Sequence, residues 1–238
     1  PGLDTYVDGT GWGASSWGDG TFGSSSAIGS NNQLRLWSMD SFGEDLIACP
    51  RGGSIYYWDY TNASTRAIAL ADLAGANLAP TLGLQVLISD VDRHVVILGA
   101  DPINATASGR TGAIDPLLVA FSDQENAAEW EPLSTNTAGS LRCSAGSQII
   151  GGLRARQETL IWTDVALYSL QFIGAPLTFG LTLINEGISL IGPNAPVNTP
   201  TGIFWMDKKG FYAYQGSVQP IPCSVHSYVF DDLNEGQA

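Results

Sequence analysis

Leu160-Ile161-Trp162-Thr163-Asp164-Val165-Ala166-Leu167-Tyr168-Ser169-Leu170 reads as one β-hairpin. Two aliphatic residues and a tryptophan form a buried half-strand, Thr163 and Asp164 open a turn, and an apolar alternation restarts as the return strand. The pattern recurs at Leu87-Ile88-Ser89-Asp90, Ala120-Phe121-Ser122-Asp123 and Phe204-Trp205-Met206-Asp207. From Asp90 to Asp123, Asp164 and Asp207 the steps are 33, 41 and 43 residues. Leu36-Trp37-Ser38-Met39-Asp40 and Tyr56-Tyr57-Trp58-Asp59 are looser relatives. Steps of this size, each with a strand-turn-strand signature, are those of propeller blades built from four short strands. The expected fold is therefore all-β, with β-propeller-like blades of short antiparallel strands.

The repeated aspartate suits the first position of a tight turn, where its carboxylate accepts the backbone N–H two residues on. The aromatic residue two positions earlier is expected to point into the packing between neighbouring blades. Asp90, Asp123, Trp162, Asp164, Trp205 and Asp207 thus read as structural repeat residues, and catalytic use of the aspartates is the weaker reading.

At 238 residues and 44% hydrophobic, the chain can bury a substantial core as one all-β domain or two small ones. Charged residues reach only 14%, while 28 glycines and 12 prolines suit tight turns and argue against long helices. Ten basic against 23 acidic side chains give a net charge of −13. Such a surface disfavours adhesion to nucleic acid or anionic membrane, because each phosphate contact needs a Lys or Arg. Ordinary acidic solubility is the plainer explanation. Cys49, Cys143 and Cys223 are odd in number and form no CxxC, so buried free thiols in a reducing compartment are expected rather than bridges or zinc. No run approaches the roughly 18 apolar residues of a membrane span and no signal-peptide pattern is present, so a soluble protein is expected. Its first residue is Pro1, which fits an excised piece of a longer chain.

Residues 1–32 form a Gly/Ser/Trp-rich irregular segment, either a flexible lead-in or a loop whose Trp12, Trp17 and Phe22, separated by glycines, dock on a neighbouring subunit; docking is the expectation, since these rings are costly to leave in water. Residues 33–230 carry the repeat domain, and 231–238 read as a frayed end. Within the domain, strands are expected at 34–37, 45–49 and 54–58, with a turn at 40–43. Residues 66–75 fit either a strand or one helical turn, and are read as a strand running into a short turn. A hairpin at 85–89 and 94–98 precedes a polar surface loop at 100–114, and a strand at 117–121 precedes an irregular connection at 134–147. A four-strand succession follows at 148–153, 158–162, 167–173 and 179–184. The last repeat places strands at 202–206 and 211–214.

Catalytic signatures are absent: there is no G-x-S-x-G, no G-x-x-x-x-G-K and no H-E-x-x-H, and the two histidines, His94 and His226, have no neighbouring Cys or His. Asp90-Val91-Asp92 is too short for a calcium loop. Ser122-Asp123 through Trp130 has a distant likeness to the Asp-box of sialidase-type propeller glycosidases, but the Ser–Asp spacing departs and the glycine is missing. No acidic pair stands out to supply a glycosidase's acid and second carboxylate. A second alternative is a carbohydrate-binding propeller module that stacks sugars on its tryptophans. No enzyme, cofactor or metal is expected.

Ser122-Asp123-Gln124-Glu125-Asn126-Ala127-Ala128-Glu129-Trp130, Ile150 to Glu158, Ile161 to Asp164, Leu167-Tyr168, Ile191-Gly192-Pro193-Asn194-Ala195 and Tyr228 to Asn234 resemble a tailed-phage virion protein family, over about residues 33–234. Its members are labelled structural, tail or packaged-DNA-stabilisation proteins. The resemblance implies a non-enzymatic, propeller-like tail component akin to the tail nozzle of podoviruses. Such nozzles form rings, usually hexameric, that continue the DNA channel below portal and adaptor and help retain or release the genome. It also implies localisation in the virion tail after synthesis in the bacterial host cytoplasm. Relatives continue with further strands past Asp231-Asp232-Leu233-Asn234, so an incomplete propeller is expected here. A conduit that passes DNA without gripping it gains from a neutral or acidic wall, with Arg154, Arg156, Lys208 and Lys209 expected in subunit contacts or in solvent.

Overall fold

In the computed structural model the described residues are 36–89, 92–106 and 109–231. Trp12, Trp17, Phe22, the rest of the 1–32 segment, Asp90 and residues 232–238 lie outside them. The chain divides into two units, Pro1–Leu36 and Trp37–Ala238; everything below concerns the second.

Alternating apolar residues too short in run for helices give strands throughout. The first group is β1 (Trp37–Phe42), β2 (Asp45–Pro50), β3 (Gly53–Ser54), β4 (Tyr56–Trp58) and β5 (Ile68–Ala69). The second is β6 (Leu82–Gly83), β7 (Gln85–Ile88), β8 (Val95–Leu98), β9 (Leu118–Phe121) and β10 (Gly139–Arg142). The third is β11 (Ile149–Arg154), β12 (Thr159–Thr163), β13 (Ala166–Gly174) and β14 (Thr178–Glu186). The fourth is β15 (Val197–Thr199), β16 (Gly202–Met206), β17 (Phe211–Tyr214) and β18 (Val218–Ile221), followed by a short helix α1 (His226–Phe230). Each group makes one four-stranded antiparallel sheet in chain order, β1-β2-β4-β5, β7 to β10, β11 to β14 and β15 to β18, and β3 pairs with β6 to bridge the first two. These are four consecutive blades. Strand makes up 46% of the chain and helix 6%, so the fold is all-β, and no sheet closes, which gives an incomplete propeller-like array.

The first strands pack in series, β1 on β7, β7 on β11 and β11 on β15, and so form the inner row of the array. Three cores lie between successive blades, and side-chain alternation decides which residue enters which. On β8, Val95 and Ile97 join Ile47, Cys49 and Val86 in the first core, whereas Val96 and Leu98 join Val119, Ile161 and Tyr168 in the second. On β12, Ile161 belongs to the second core while Leu160 and Trp162 enter the third with Leu167, Ile203 and Trp205. Strands buried on both faces are near-continuously apolar, which is why VVIL and the LIW of β12 read as unbroken runs. Each such aliphatic side chain stabilises by about 1.5–3 kcal/mol. A charge at Val96 would sit unpaired in the second core.

Three readings need correction. β1 runs on through Phe42, and its turn falls at Gly43, where φ is +71° and suits glycine. β10 lies inside the stretch read as irregular, and β15 precedes the last repeat; both are half-exposed and too polar to show an apolar run. The repeat domain ends in α1, where Phe230 packs on Phe211 with ring centroids 5.4 Å apart. The strand-then-turn reading of residues 66–75 holds, as β5 leads into a 3-10 turn at Leu70–Asp72.

Candidate functional site: the inner seam

An inner strand has a paired neighbour on one side only, and the backbone groups on its other edge need partners from elsewhere. Side chains of the adjacent inner strands supply them. The Ser38 hydroxyl accepts from Val86 N at 2.9 Å, and Asp40 Oδ2 accepts from Ile88 N at 2.8 Å, both reaching from β1 to β7. Gln85 of β7 answers both backbone groups of Gly152 on β11: Nε2 donates to its carbonyl and Oε1 accepts from its N–H, each at 2.8 Å. Arg154 reaches back from β11, donating from Nη1 to Ile88 O at 3.0 Å. Asn198 of β15 donates to Arg154 O at 2.9 Å. One polar seam therefore links all four blades.

Glycines allow this close approach. A Cβ on Gly152 would lie 2.6 Å from Leu98 Cδ1, and one on Gly151 would lie 3.1 Å from the Pro193 carbonyl oxygen. Arg154 Nη1 also stands 3.3 Å from Asp40 Oδ2, with the side chains 35% and 15% exposed. The expectation that Arg154 serves subunit contacts or solvent is thus corrected: its guanidinium is engaged within the seam. Half-buried charge pairs of this kind, backed by backbone hydrogen bonds, position strands; they offer no activated nucleophile.

Beside the seam, the β7–β8 and β11–β12 turns border a cleft lined by Ser89, Asp92, Arg156, Glu158 and Phe172 among others. Asp92 is buried with Oδ2 unpartnered, and burial pushes its pKa up. The Ser169 hydroxyl donates to Glu158, and Gln171 Nε2 does so at 3.2 Å. His94 is fully buried, its Nε2 3.0 Å from Thr137 Oγ1 and its ring edge-on to Phe179 at 5.1 Å. Burial lowers its pKa, against the pull of Asp123.

The repeat aspartates among the described residues, Asp123, Asp164 and Asp207, do not bond two residues on. Asp123 accepts from the amide and hydroxyl of Thr137, at 2.8 and 2.6 Å. Asp164 accepts from the amide and hydroxyl of Ser147, at 2.7 and 2.6 Å. In both, burial favours the neutral acid, but these hydrogen bonds outweigh it and hold the pKa below the usual value. Each aspartate thus anchors a connection distant in sequence, a partner that local turn rules do not reveal. Asp207 accepts from Lys208 N at 2.6 Å and is deeply buried, which raises its pKa. The i+2 bond appears instead at Asp59, which accepts from Thr61 N at 2.8 Å. Asp123, Asp164 and Asp207 have no hydrogen-bond partner in common.

Trp162 and Trp205 are brought together, edge to face with centroids 5.3 Å apart in the third core, and pack between blades as the repeat pattern predicts. Trp130 is buried in the first core with its indole N–H on Ala127 O. None of these three rings can stack on a sugar. Sequence reasoning missed Ser38, Gln85 and Asn198; polar residues spaced by two inside an apolar alternation, as Ser38 and Asp40 are, were the available signal.

No family model matches this chain, and no curated protein does. A solved structure of PorZ, described as an essential bacterial surface component of the type-IX secretion system of Porphyromonas gingivalis, is similar at 9% identity with a TM-score of 0.49. The match covers 81% of this chain, which spans 28% of that one.

Proposed function

We propose that this chain is a non-enzymatic structural component of a phage tail, a nozzle-type subunit. It assembles with copies of itself into a ring, hexameric by resemblance, adjoins an adaptor or portal, and lets DNA pass without tight binding. The resemblance of the ungapped strings between Ser122 and Asn234 supplies the biology. The observation that carries the reading is the inner seam, where Arg154 is matched by Asp40 instead of being offered to phosphate. Non-specific affinity for duplex comes mainly from counterion release at Lys and Arg, and a net charge of −13 works against it. Virion tail is the corresponding location. Among the described residues no helix is long and apolar enough to cross a membrane.

Negative-stain imaging of the purified chain tests the assembly, with closed rings expected and monodisperse single subunits against the reading. A mobility-shift titration with duplex DNA at low salt, where screening is weakest, tests the slippery wall. No shift at micromolar protein is expected; micromolar binding that weakens steeply with salt would overturn it.

A further inference from the structure

Among the described residues each blade ends in an outer strand with no strand beyond it, and unpaired edges of this kind recruit other chains unless something blunts them. Three are blunted. β5 has two residues. β18 carries Pro220, which has no N–H to offer. β10 has four residues and ends in Arg142, whose guanidinium is held 2.8 Å from Asp115. Of the inner edges, those of β7 and β11 are met by seam side chains, that of β15 has three residues, and that of β1 carries the charged Asp40.

β14 is different. It has nine residues without Pro, Lys or Arg, and outside its ladder with β13 none of its backbone groups bonds to another backbone group among the described residues. A register shift places a bulge at Ile184, so the regular stretch is Phe179-Gly180-Leu181-Thr182-Leu183. This stretch is uncharged. Phe179, Leu181 and Leu183 share one face, and Leu183 is 40% exposed. The hairpin tip adjoining it bears Ile173 and Leu177, 54% and 67% exposed.

The geometry points to β14 as a self-pairing edge, on which a second copy of this chain adds its own β14 antiparallel about a two-fold axis at Leu181. In that register Leu181 faces its counterpart, Phe179 faces the other copy's Leu183, and Gly180 faces its Thr182. The apolar row continues across the axis and no like charges oppose, the pairing rule that antiparallel neighbours reward. A contact this small is weak and reversible. It is isologous, like surface on like, whereas a cyclic ring joins unlike surfaces; it therefore stands independently of the tail reading.

Sedimentation velocity of the full chain across a concentration series is the test, with a concentration-dependent dimer expected. Leu183→Lys, at an exposed position, raises the dissociation constant roughly tenfold or more without moving the melting temperature. Leu181→Cys in a Cys223→Ser background forms an intermolecular disulfide on oxidation, since directly opposed residues lie within bridging distance. A monomer at every concentration overturns the proposal, as does a dimer indifferent to Leu183→Lys or a Leu181→Cys chain that does not cross-link. Rings that survive Leu183→Lys, without two-fold cross-linking, overturn it while leaving the tail reading intact.

Discussion

The Asp40 carboxylate and the Arg154 guanidinium meet at 3.3 Å across the inner strand of the second blade, which lies between the blades that carry them. Between them they hold both backbone groups of one residue: Asp40 takes the N–H of Ile88 and Arg154 its carbonyl. The first and third blades thus clamp the second at a single residue, Ile88.

Asp40→Ala leaves the Ile88 N–H and a half-buried guanidinium without this partner, and should cost about 2–4 kcal/mol. Asp40→Asn keeps an acceptor and should cost about half as much. Urea unfolding measures both; equal, negligible losses would mean that the clamp contributes nothing.

Trp162 is fully buried against Trp205. Trp162→Ala should cost about 3–5 kcal/mol, and a double-mutant cycle with Trp205→Ala should show coupling of about 0.5–1.5 kcal/mol for the edge-to-face pair. An unchanged thermal melt in Trp162→Ala would contradict the packing.

Asp164 and Asp207 should respond oppositely to pH. The Asp164 pKa is lowered on folding, so its contribution is complete above the ordinary aspartate value, about 3.9, and is lost as pH falls through the folded value. Asp164→Ala should therefore flatten the acid limb of stability. The Asp207 pKa is raised by burial, so its contribution is complete below the ordinary value and is lost as pH rises through the folded one. Asp207→Asn, which mimics the protonated acid, should stabilise at neutral pH, with the gain shrinking on acidification. Melting temperatures from pH 3 to 8 check both signs.

Burial pushes the thiols of Cys49 and Cys143 up to about 12, whereas Cys223 is only half-buried. Under native conditions near neutral pH, iodoacetamide should label Cys223 and spare the other two, and denaturation should expose all three. Rapid native labelling at Cys49 would show that the first core opens.

Blade content was legible because strands buried on both sides are apolar along most of their length: VVIL, LVAF and LIW announce themselves without reference to neighbours. That Trp162 and Trp205 pack between blades was expected from the same repeat; that their two rings meet was not. What stayed hidden depends on contacts remote in sequence. β10 and β15 gain their strand character from partners, Phe121 facing Gly139 and Phe204 facing Val197, and not from their own side chains. The anchoring of Ser147 by Asp164 and the reach of Gln85 to Gly152 obey no local rule, so the seam emerged only once the inner strands were set side by side.

Three separate cores, each shared by two adjacent blades, make the array a chain of nearest-neighbour couplings. The second and third blades each belong to two cores and the end blades to one. Detaching an end blade breaks one interface, while opening a middle blade breaks two. Amide exchange should accordingly be slowest along β8 and β12 and quicken towards β2 and β17, a gradient of protection running outward from the centre of the series instead of one all-or-none barrier.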